Sequence, residues 1–207
     1  MTSSPARQRK AGRSRPLLFI MARLPIAGAV KTRLARRIGA IGAVSLYRTL
    51  LASTLRTAGQ DKRWRTILAV TPPTAVHSPL WRRLAPGCEV LAQSSGDLGH
   101  RMGSLLAHAG AAPAAVMGSD IVDVNATHIA AAFSALKGAD AVIAYAEDGG
   151  FWFCAVKGTA PRFPPGKAGA FAGIGWSRSD SGELTRKALQ AKGFRVASGP
   201  VRRDIDE

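Results

Sequence analysis

The segment AAVMGSDIVD, residues 114–123, passes directly from an apolar run to two aspartates, Asp120 and Asp123. Acidic side chains at the C-terminal end of a buried strand are a common way to hold a divalent cation. Mg²⁺ and Mn²⁺ prefer hard oxygen ligands, and one or two carboxylates often share the ion with phosphate groups. Asp120 and Asp123 are therefore candidate metal ligands, although an aspartate at a strand end also commonly caps a turn or a helix.

On either side of this segment, apolar runs alternate with stretches of helical periodicity. Residues 17–22 form a continuous apolar run, which is typical of a strand buried on both faces of a parallel sheet. Further strands are predicted at 65–70, 89–93, 114–117, 139–145, 151–156 and 194–197. The alternation predicts an α/β fold with a doubly wound, mostly parallel sheet. Turn residues at 147–150 predict a hairpin, which makes the sheet mixed.

Helices are predicted between these strands. The first is expected from about Ile41, with one apolar face formed by Ile41, Val44, Tyr47, Leu51 and Leu55. Later helices are expected near 79–84, up to about 109, at 126–136 and at 180–191. Asn125 is a predicted N-cap, and so is Asp180, which is followed three positions later by Glu183.

Length and composition suit one α/β domain, because the chain has 207 residues and 46% of them are hydrophobic. We expect the domain to span residues 16–207 and to follow a disordered basic tail, residues 1–15. We expect no stretch long and apolar enough to span a membrane. The two cysteines lack metal-binding spacing, which favours buried thiols in a reducing cytoplasm.

The net charge favours an anionic partner. Lys and Arg number 29 against 13 Asp and Glu, a formal charge of +16. Nucleic acid, nucleotide, anionic lipid and phosphorylated substrates all meet this condition. Nucleic acid is the less favoured partner, because aromatic residues are only 6% of the chain, no recognised binding motif occurs, and much of the charge lies in the tail.

A loop after the first predicted strand combines glycine with cationic side chains. It contains Arg23, Gly28, Lys31 and Arg33, and it could cradle phosphate because glycine admits close approach and the cations supply charge. A solvated basic helix start is the alternative. The loop lacks Walker A spacing, and the segment has no G-x-G-x-x-G motif. Since strand ends meet at one edge of a parallel sheet, the loops after the first, third and fourth strands are predicted to share one rim.

Other charged residues on this predicted rim have both functional and structural interpretations. Asp97 and Arg101, after the third strand, could contact a ligand, but Asp97 could equally cap the next helix. Glu147 and Asp148 could complete a metal shell or act as a base, or could be turn residues only.

Trp176 and Asp180 could wall a ligand pocket, whereas an aromatic residue packed beneath a loop is the plainer interpretation. No histidine pair has zinc-binding spacing, and no Ser/His/Asp or Cys/His nucleophile arrangement is evident.

Five segments together carry a family resemblance: FIMARLPIAGAVKTRL, SSGDLGHRM, VMGSDIVDV, AEDGGFWFCAV and GIGWSRSD. In order and spacing they resemble a bacterial family of glycosyltransferase-like proteins, most of them uncharacterised, with the GT-A type nucleotide-diphospho-sugar transferase fold. The resemblance runs from about Leu17 to Ala191. More distantly, the family is similar to nucleotidyltransferases such as the molybdenum-cofactor guanylyltransferases.

The resemblance implies a nucleotide bound over the first loop, with Lys31 and Arg33 near phosphate and Ser119 among the nucleotide contacts. It implies Asp120 as a metal ligand for Mg²⁺ or Mn²⁺, with Asp123 as a second ligand, direct or through water. Asp148 would lie on the acceptor or metal side.

The sequence also departs from the family pattern. Ile121 and Val122 replace a Cys-Pro pair in the acidic loop, and His100 stands where an acidic residue is frequent. Both aspartates of the acidic loop are nevertheless retained.

Four functions are compatible with these observations. The leading one is a metal-dependent glycosyltransferase that uses a nucleotide sugar and an acceptor the sequence does not identify. A nucleotidyltransferase would instead release pyrophosphate. A nucleic-acid-binding protein and a non-catalytic nucleotide-binding protein are the alternatives from other classes.

Overall fold

The computed structural model describes residues 15–158, 163, 167–176 and 179–202. The predicted disordered tail therefore lies outside the described residues, except for Arg15. The strands are β1 (Leu17–Arg23), β2 (Arg65–Thr71), β3 (Glu89–Ala92), β4 (Ala114–Gly118), β5 (Ala141–Tyr145), β6 (Phe151–Val156) and β7 (Val196–Ser198). The α-helices are α1 (Thr32–Gly59), α2 (Leu80–Leu84), α3 (Leu98–His108), α4 (Ala126–Ala135) and α5 (Ser181–Ala191).

The strands form one seven-stranded sheet in the order β3-β2-β1-β4-β6-β5-β7. Strand β1 pairs in parallel with both β2 and β4, and β5 pairs in parallel with β7. Strand β6 runs antiparallel to β4 and β5, as the predicted hairpin requires. The prediction of a doubly wound, mostly parallel, mixed sheet is therefore confirmed.

The core lies on both faces of this sheet. On one face, side chains of α1, α2 and α4 pack against alternate strand residues such as Leu18, Ile20 and Leu68. On the other face, α3 and α5 pack against the intervening residues, including Phe19 and Ile67. Because successive strand side chains point to opposite faces, strands covered on both sides must be apolar throughout, as the run at 17–22 is.

Helix α1 begins nine residues before the predicted start, since it runs from Thr32 rather than Ile41. Gly39 has non-helical φ 79° and ψ 158°, so it breaks α1 into two helical segments. The expectation that Ile41 belongs to the buried face was wrong, because its side chain is 74% exposed. Val44, Tyr47 and Leu51, which follow it in the predicted face, are buried.

Helix α1 is also long and apolar enough, by length and composition, to cross a membrane. The sequence prediction that no stretch meets this condition was therefore too strict. A core helix of a water-soluble fold satisfies the same criterion, and the residues of α1 that form its inner face are buried against the sheet.

Asn125 and Asp180 both stand at the N-cap positions predicted for them, but only Asn125 caps its helix through its side chain. The Asn125 side chain accepts from the backbone N–H groups of Thr127 and His128, and it forms a capping box with His128. Asp180 precedes α5 but makes no side-chain hydrogen bond to the first turn among the described residues. Its φ of −109° and ψ of 7° lie outside the extended conformation that an N-cap side chain normally needs.

Candidate functional site

The sheet order places a cleft at the carboxyl ends of β1 and β4. The chain winds outward from β1 through β2 to β3, then returns to β4 on the other side of β1. In open α/β sheets, this reversal of strand order leaves a crevice in which ligands bind. Here the crevice has a volume of about 640 Å³. Its charged lining side chains are Arg23, Lys31, Arg33, Arg101, Asp120 and Asp148.

Lys31 ends the first loop and precedes α1, in a left-handed conformation with φ 48° and ψ 47°. This conformation is uncommon for a residue with a side chain. The Lys31 Nζ atom lies 2.7 Å from Oδ2 of Asp120. Only 7% of the lysine side chain is exposed, against 29% of the aspartate side chain. The predicted phosphate loop and the predicted acidic loop therefore meet directly.

The first turn of α1 opens onto the same cleft, through Thr32 and Arg33. It has no side-chain cap and no acidic residue among the described residues. The backbone N–H groups at a helix N-terminus attract anions, so the cleft combines helix-dipole and side-chain positive charge. Gly28, in the preceding loop, has φ 79°.

Tyr47 of α1 fixes the end of β1 beside the acidic loop. The backbone N–H of Arg23 donates to the Tyr47 hydroxyl at 2.9 Å, and that hydroxyl lies 3.1 Å from Oγ of buried Ser119. Burial raises the pKa of Tyr47 above its ordinary value. The Arg23 guanidinium donates to the carbonyl of Ala29 at 3.0 Å, so Arg23 also ties down the first loop.

The two carboxylates that line the cleft are Asp120 and Asp148. Asp123 is exposed, adopts φ 57°, and lies outside the lining formed by the described residues. Asp148 Oδ1 accepts from the backbone N–H of Gly150 at 2.8 Å, which leaves Oδ2 for another partner. The structure thus brings Asp148, rather than Asp123, to the cleft with Asp120.

These two carboxylates suit a divalent cation bound jointly by protein and substrate. Among the described residues, no group of three or more His, Cys, Asp and Glu side chains is placed to hold a metal. Mg²⁺ is commonly bound by one or two carboxylates, with phosphate oxygens and water as its other ligands. The donor set therefore fits an ion that binds together with a phosphorylated ligand.

A backbone contact positions the turn that carries Asp148. A Cβ atom on Gly149, which has φ 86°, would lie 1.7 Å from the carbonyl oxygen of Ser179. The N–H of Gly182 donates to the carbonyl of Gly149 at 3.1 Å. Ser179 and Ser181, just before and at the start of α5, also line the cleft. The β5–β6 turn is thereby held against the start of α5.

The remaining predicted site residues lie around this cleft. Arg101 lines it and donates from Nε to the carbonyl of Gly96 at 3.0 Å. Asp97 caps α3, accepting from the His100 N–H at 2.9 Å, and this bond lowers the pKa of Asp97. Asp97 and the exposed Glu147 lie outside the lining formed by the described part of the chain.

A second cavity of about 200 Å³ adjoins the cleft and has a mostly apolar lining. Met21, Asp148 and Ser181 line both spaces. Trp152 and Trp176 line the second cavity, whereas Asp180, the other predicted wall residue, is in the lining of neither space formed by the described residues. The buried Nε1 of Trp176 has no hydrogen-bond partner within the described residues. The indole is near enough to Asp97 to contribute slightly to its lowered pKa.

Several polar residues that line the cleft were not predicted as site residues, among them Tyr47, Gln93, Ser179 and Ser181. Gln93 is buried at the end of β3, where its Nε2 donates to the carbonyl of Ala69 at 2.8 Å. The sequence did contain a signal that Gln93 belongs to the site, because it is a polar residue directly after an apolar strand segment. Tyr47 had no such signal, because its spacing fits the apolar face of α1 equally well.

The family comparison agrees with this architecture. A family model described as "Uncharacterized protein conserved in bacteria (DUF2064)" matches residues 54–178. The chain belongs to this family. The match includes the acidic loop and the β5–β6 turn. No curated protein sequence matches the chain.

Solved structures share the fold over nearly the whole chain. The crystal structure of a provisionally named nucleotide-diphospho-sugar transferase from Desulfovibrio desulfuricans G20 has 27% identity and a TM-score of 0.80. The alignment covers 93% of this chain and 83% of that one. The family resemblance inferred from the five sequence segments, and the fold that it implied, are confirmed for this DUF2064 chain.

Two further structures agree in fold alone. A homologue of Mycobacterium tuberculosis Rv0371c from Mycobacterium sp. strain JC1 has 17% identity and a TM-score of 0.53, with 93% of this chain and 89% of that chain covered. The bifunctional IspDF of Campylobacter jejuni has 10% identity and the same TM-score, with 90% of this chain and 50% of that chain covered.

Proposed function

We propose that this DUF2064 protein is a metal-dependent transferase that acts on a nucleotide-activated donor, a nucleotide sugar in the first instance. The observation that carries the proposal is the cleft itself, where Lys31 pairs with Asp120 of the acidic loop and Arg33 lines the same space, at the reversal of strand order. The fold shared with the Desulfovibrio protein named for nucleotide-diphospho-sugar transfer supports the same class.

The cationic side of the cleft would bind the donor's diphosphate. Lys31, Arg33 and the N–H groups of the first turn of α1 present positive charge from one element, and Arg101 adds charge from α3. Preorganised donors of this kind stabilise negative charge as it develops on a leaving phosphate. In this proposal they neutralise the departing nucleoside diphosphate.

The acidic side would hold Mg²⁺ or Mn²⁺ through Asp120 and Asp148. A divalent ion bound there supplies Lewis-acid stabilisation of phosphate oxygens. Asp148 also borders the second cavity, so its carboxylate lies between the phosphate region and the apolar space. That position suits a residue that orients the acceptor or accepts its proton.

The second cavity would receive the transferred group or its acceptor. Its aromatic walls, Trp152 and Trp176, offer flat apolar surfaces, and Trp176 Nε1 offers a buried hydrogen-bond donor. A polar oxygen on the bound group would satisfy this donor, since an unpaired buried N–H is unfavourable.

Thermal unfolding with a panel of nucleoside diphosphates and nucleotide sugars, with and without Mn²⁺, tests the binding step. A ligand at about 100 times its Kd should stabilise the protein by roughly 2.7 kcal/mol, a shift of several degrees. Arg33→Gln should lose most of this shift, while Arg82→Gln, on the exposed surface of α2, should retain it. No shift with any nucleotide would contradict the proposal.

Analysis of the products then distinguishes the reaction classes. A nucleoside diphosphate formed from a nucleotide sugar supports glycosyl transfer. Pyrophosphate released from a nucleoside triphosphate would instead assign the cleft to nucleotidyl transfer. Binding without turnover of either donor type would leave a nucleotide-binding protein without transferase activity.

A further inference from the structure

Exposed isoleucines are concentrated around the start of α1. Ile26, Ile38 and Ile41 are 52%, 49% and 74% exposed. Single apolar residues on a surface are ordinary, but exposed ones gathered on one element commonly mark an interaction site. The break at Gly39 lies between buried Leu34 and buried Ala43, and Ile38 and Ile41, on either side of the break, are exposed.

The loop before α1 lies on the same side as these helix residues. Arg48 follows Ile41 by two helical turns, so the two residues share a face of α1. The Arg48 guanidinium donates to the carbonyl of Pro25 at 3.3 Å. This bond holds the neighbouring Ile26 near that face of the helix.

Positive charge surrounds these isoleucines. Arg36 and Arg37 are exposed beside Ile38. Residues 1–60 contain no aspartate or glutamate. Among the ion pairs between described residues, none involves Arg33, Arg36 or Arg37. We call Ile26, Arg36, Arg37, Ile38 and Ile41 the basic apolar patch.

We propose that the basic apolar patch docks this protein on an anionic phospholipid membrane surface. Guanidinium groups would bind lipid phosphates, while the isoleucines would enter the boundary between headgroups and acyl chains. The combination of cationic and aliphatic side chains favours a membrane surface over two other binding partners. A nucleic acid would use the arginines but gain little from aliphatic side chains, and a symmetric second copy would bring like charges together.

The patch adjoins the cleft through Arg33, which lines the cleft one helical turn before Arg37. Docking would therefore hold the mouth of the cleft close to the lipid surface. The proposal does not depend on the transferase activity, because it rests on the patch residues alone and none of them lines the cleft formed by the described residues.

Flotation of the full chain with lipid vesicles tests the proposal. Vesicles of phosphatidylcholine mixed with phosphatidylglycerol are compared with vesicles of phosphatidylcholine alone. Two double variants remove the two parts of the patch, Arg36→Gln/Arg37→Gln and Ile38→Ser/Ile41→Ser. Arg82→Gln/Arg83→Gln is the matched control, because it removes an adjacent, exposed arginine pair on α2. Circular dichroism verifies that each variant is folded.

Wild type should bind only the anionic vesicles, and each patch variant should bind them about tenfold more weakly or worse, while the control binds like wild type. The isoleucine variant is decisive, because a basic tail or a general positive field cannot explain its loss of binding. Three results would overturn the proposal: no vesicle binding by wild type, equal loss in the control, or unchanged binding by the isoleucine variant.

Discussion

The ammonium of Lys31 lies 2.7 Å from the Asp120 carboxylate, so a protein cation already occupies one side of the candidate metal ligand. A divalent ion that binds to Asp120 must accommodate this positive charge. Phosphate bound in the cleft would resolve the conflict, because it offers the lysine a second anionic partner. Metal and nucleotide are therefore expected to bind cooperatively.

Lys31→Met tests this relationship. Without the ammonium, Mn²⁺ alone should bind roughly tenfold more tightly, whereas a nucleoside diphosphate alone should bind roughly tenfold more weakly. Isothermal titration calorimetry of each ligand alone measures both changes. Lys192→Met, at an exposed position after α5, should alter neither affinity. Weaker Mn²⁺ binding by Lys31→Met would contradict the proposed competition.

Asp120→Asn should abolish the metal-dependent part of nucleotide binding and leave the fold intact. Asp148→Asn should weaken it as well, because both carboxylates line the cleft. Asp123→Asn should retain it, since that side chain is exposed outside the lining formed by the described residues. Thermal shifts by nucleotide with and without Mn²⁺ measure this binding in all three variants. If only the Asp120 and Asp123 variants lost metal-dependent binding, the metal ligands would be the two aspartates of the acidic loop, as the sequence predicted.

The sheet was predictable because burial on both faces leaves a direct trace in the sequence. The segments 17–22 of β1 and 114–117 of β4 sit between two helix layers, and both appear as uninterrupted apolar runs in the sequence. Their common rim followed from parallel pairing, so the meeting of Lys31 and Asp120 was within reach of sequence reasoning.

The start of α1 was harder to predict from the sequence, because the non-helical conformation of Gly39 interrupts the helical periodicity. The segment before Gly39 carries exposed arginines and Ile38 instead of a regular apolar face, so periodicity alone placed the start of the helix too late. The pairing of Asp148 with Asp120 depends on contact between the β5–β6 turn and α5. That contact is set by backbone approach and has no periodic signature in the sequence.

Gly149→Ala should damage both stability and the site. A Cβ at this position would lie 1.7 Å from the Ser179 carbonyl oxygen, so the turn carrying Asp148 must move. Gly87→Ala is a matched control, because Gly87 has a similar φ of 77° but no atom within 4 Å of the added carbon. The control isolates the left-handed backbone penalty, about 1–2 kcal/mol.

Urea unfolding should therefore show a larger loss of stability for Gly149→Ala than for Gly87→Ala. Only the former should also weaken nucleotide binding. Equal losses for the two variants would show that the contact with Ser179 does not hold the turn.

Alkaline pH should destabilise the protein through Cys154. Burial raises the pKa of the Cys154 thiol from 9.0 to about 12. The unfolded chain then releases this proton from about pH 9 while the folded chain retains it, so stability falls as pH rises between these values. One such group contributes about 1.4 kcal/mol per pH unit across the window.

Urea unfolding of wild type and Cys154→Ala from pH 8 to 11 isolates this contribution. The cavity left by the substitution lowers stability at every pH, but the variant should lose less stability on going to high pH. Cys88→Ala should change the slope less, because the Cys88 thiol is only half-buried. Parallel curves for wild type and Cys154→Ala would rule out this source of pH dependence.

Tyr47→Phe tests whether the Tyr47 hydroxyl positions the first loop for nucleotide binding or only stabilises the fold. The substitution removes the acceptor of the Arg23 backbone N–H and the partner of Ser119, in a buried setting where an unsatisfied polar group costs about 1–3 kcal/mol. Tyr145→Phe is the matched change, because its hydroxyl interacts with Glu183 and Arg186 of α5 instead. The Tyr145 variant should change stability by less than about 0.5 kcal/mol and leave nucleotide affinity unaltered.

The Tyr47 variant should lower Tm by several degrees and weaken nucleotide binding as well, because Arg23 and Ser119 both border the cleft. Full nucleotide affinity in a destabilised Tyr47→Phe protein would show that this hydroxyl supports the fold and does not position the site.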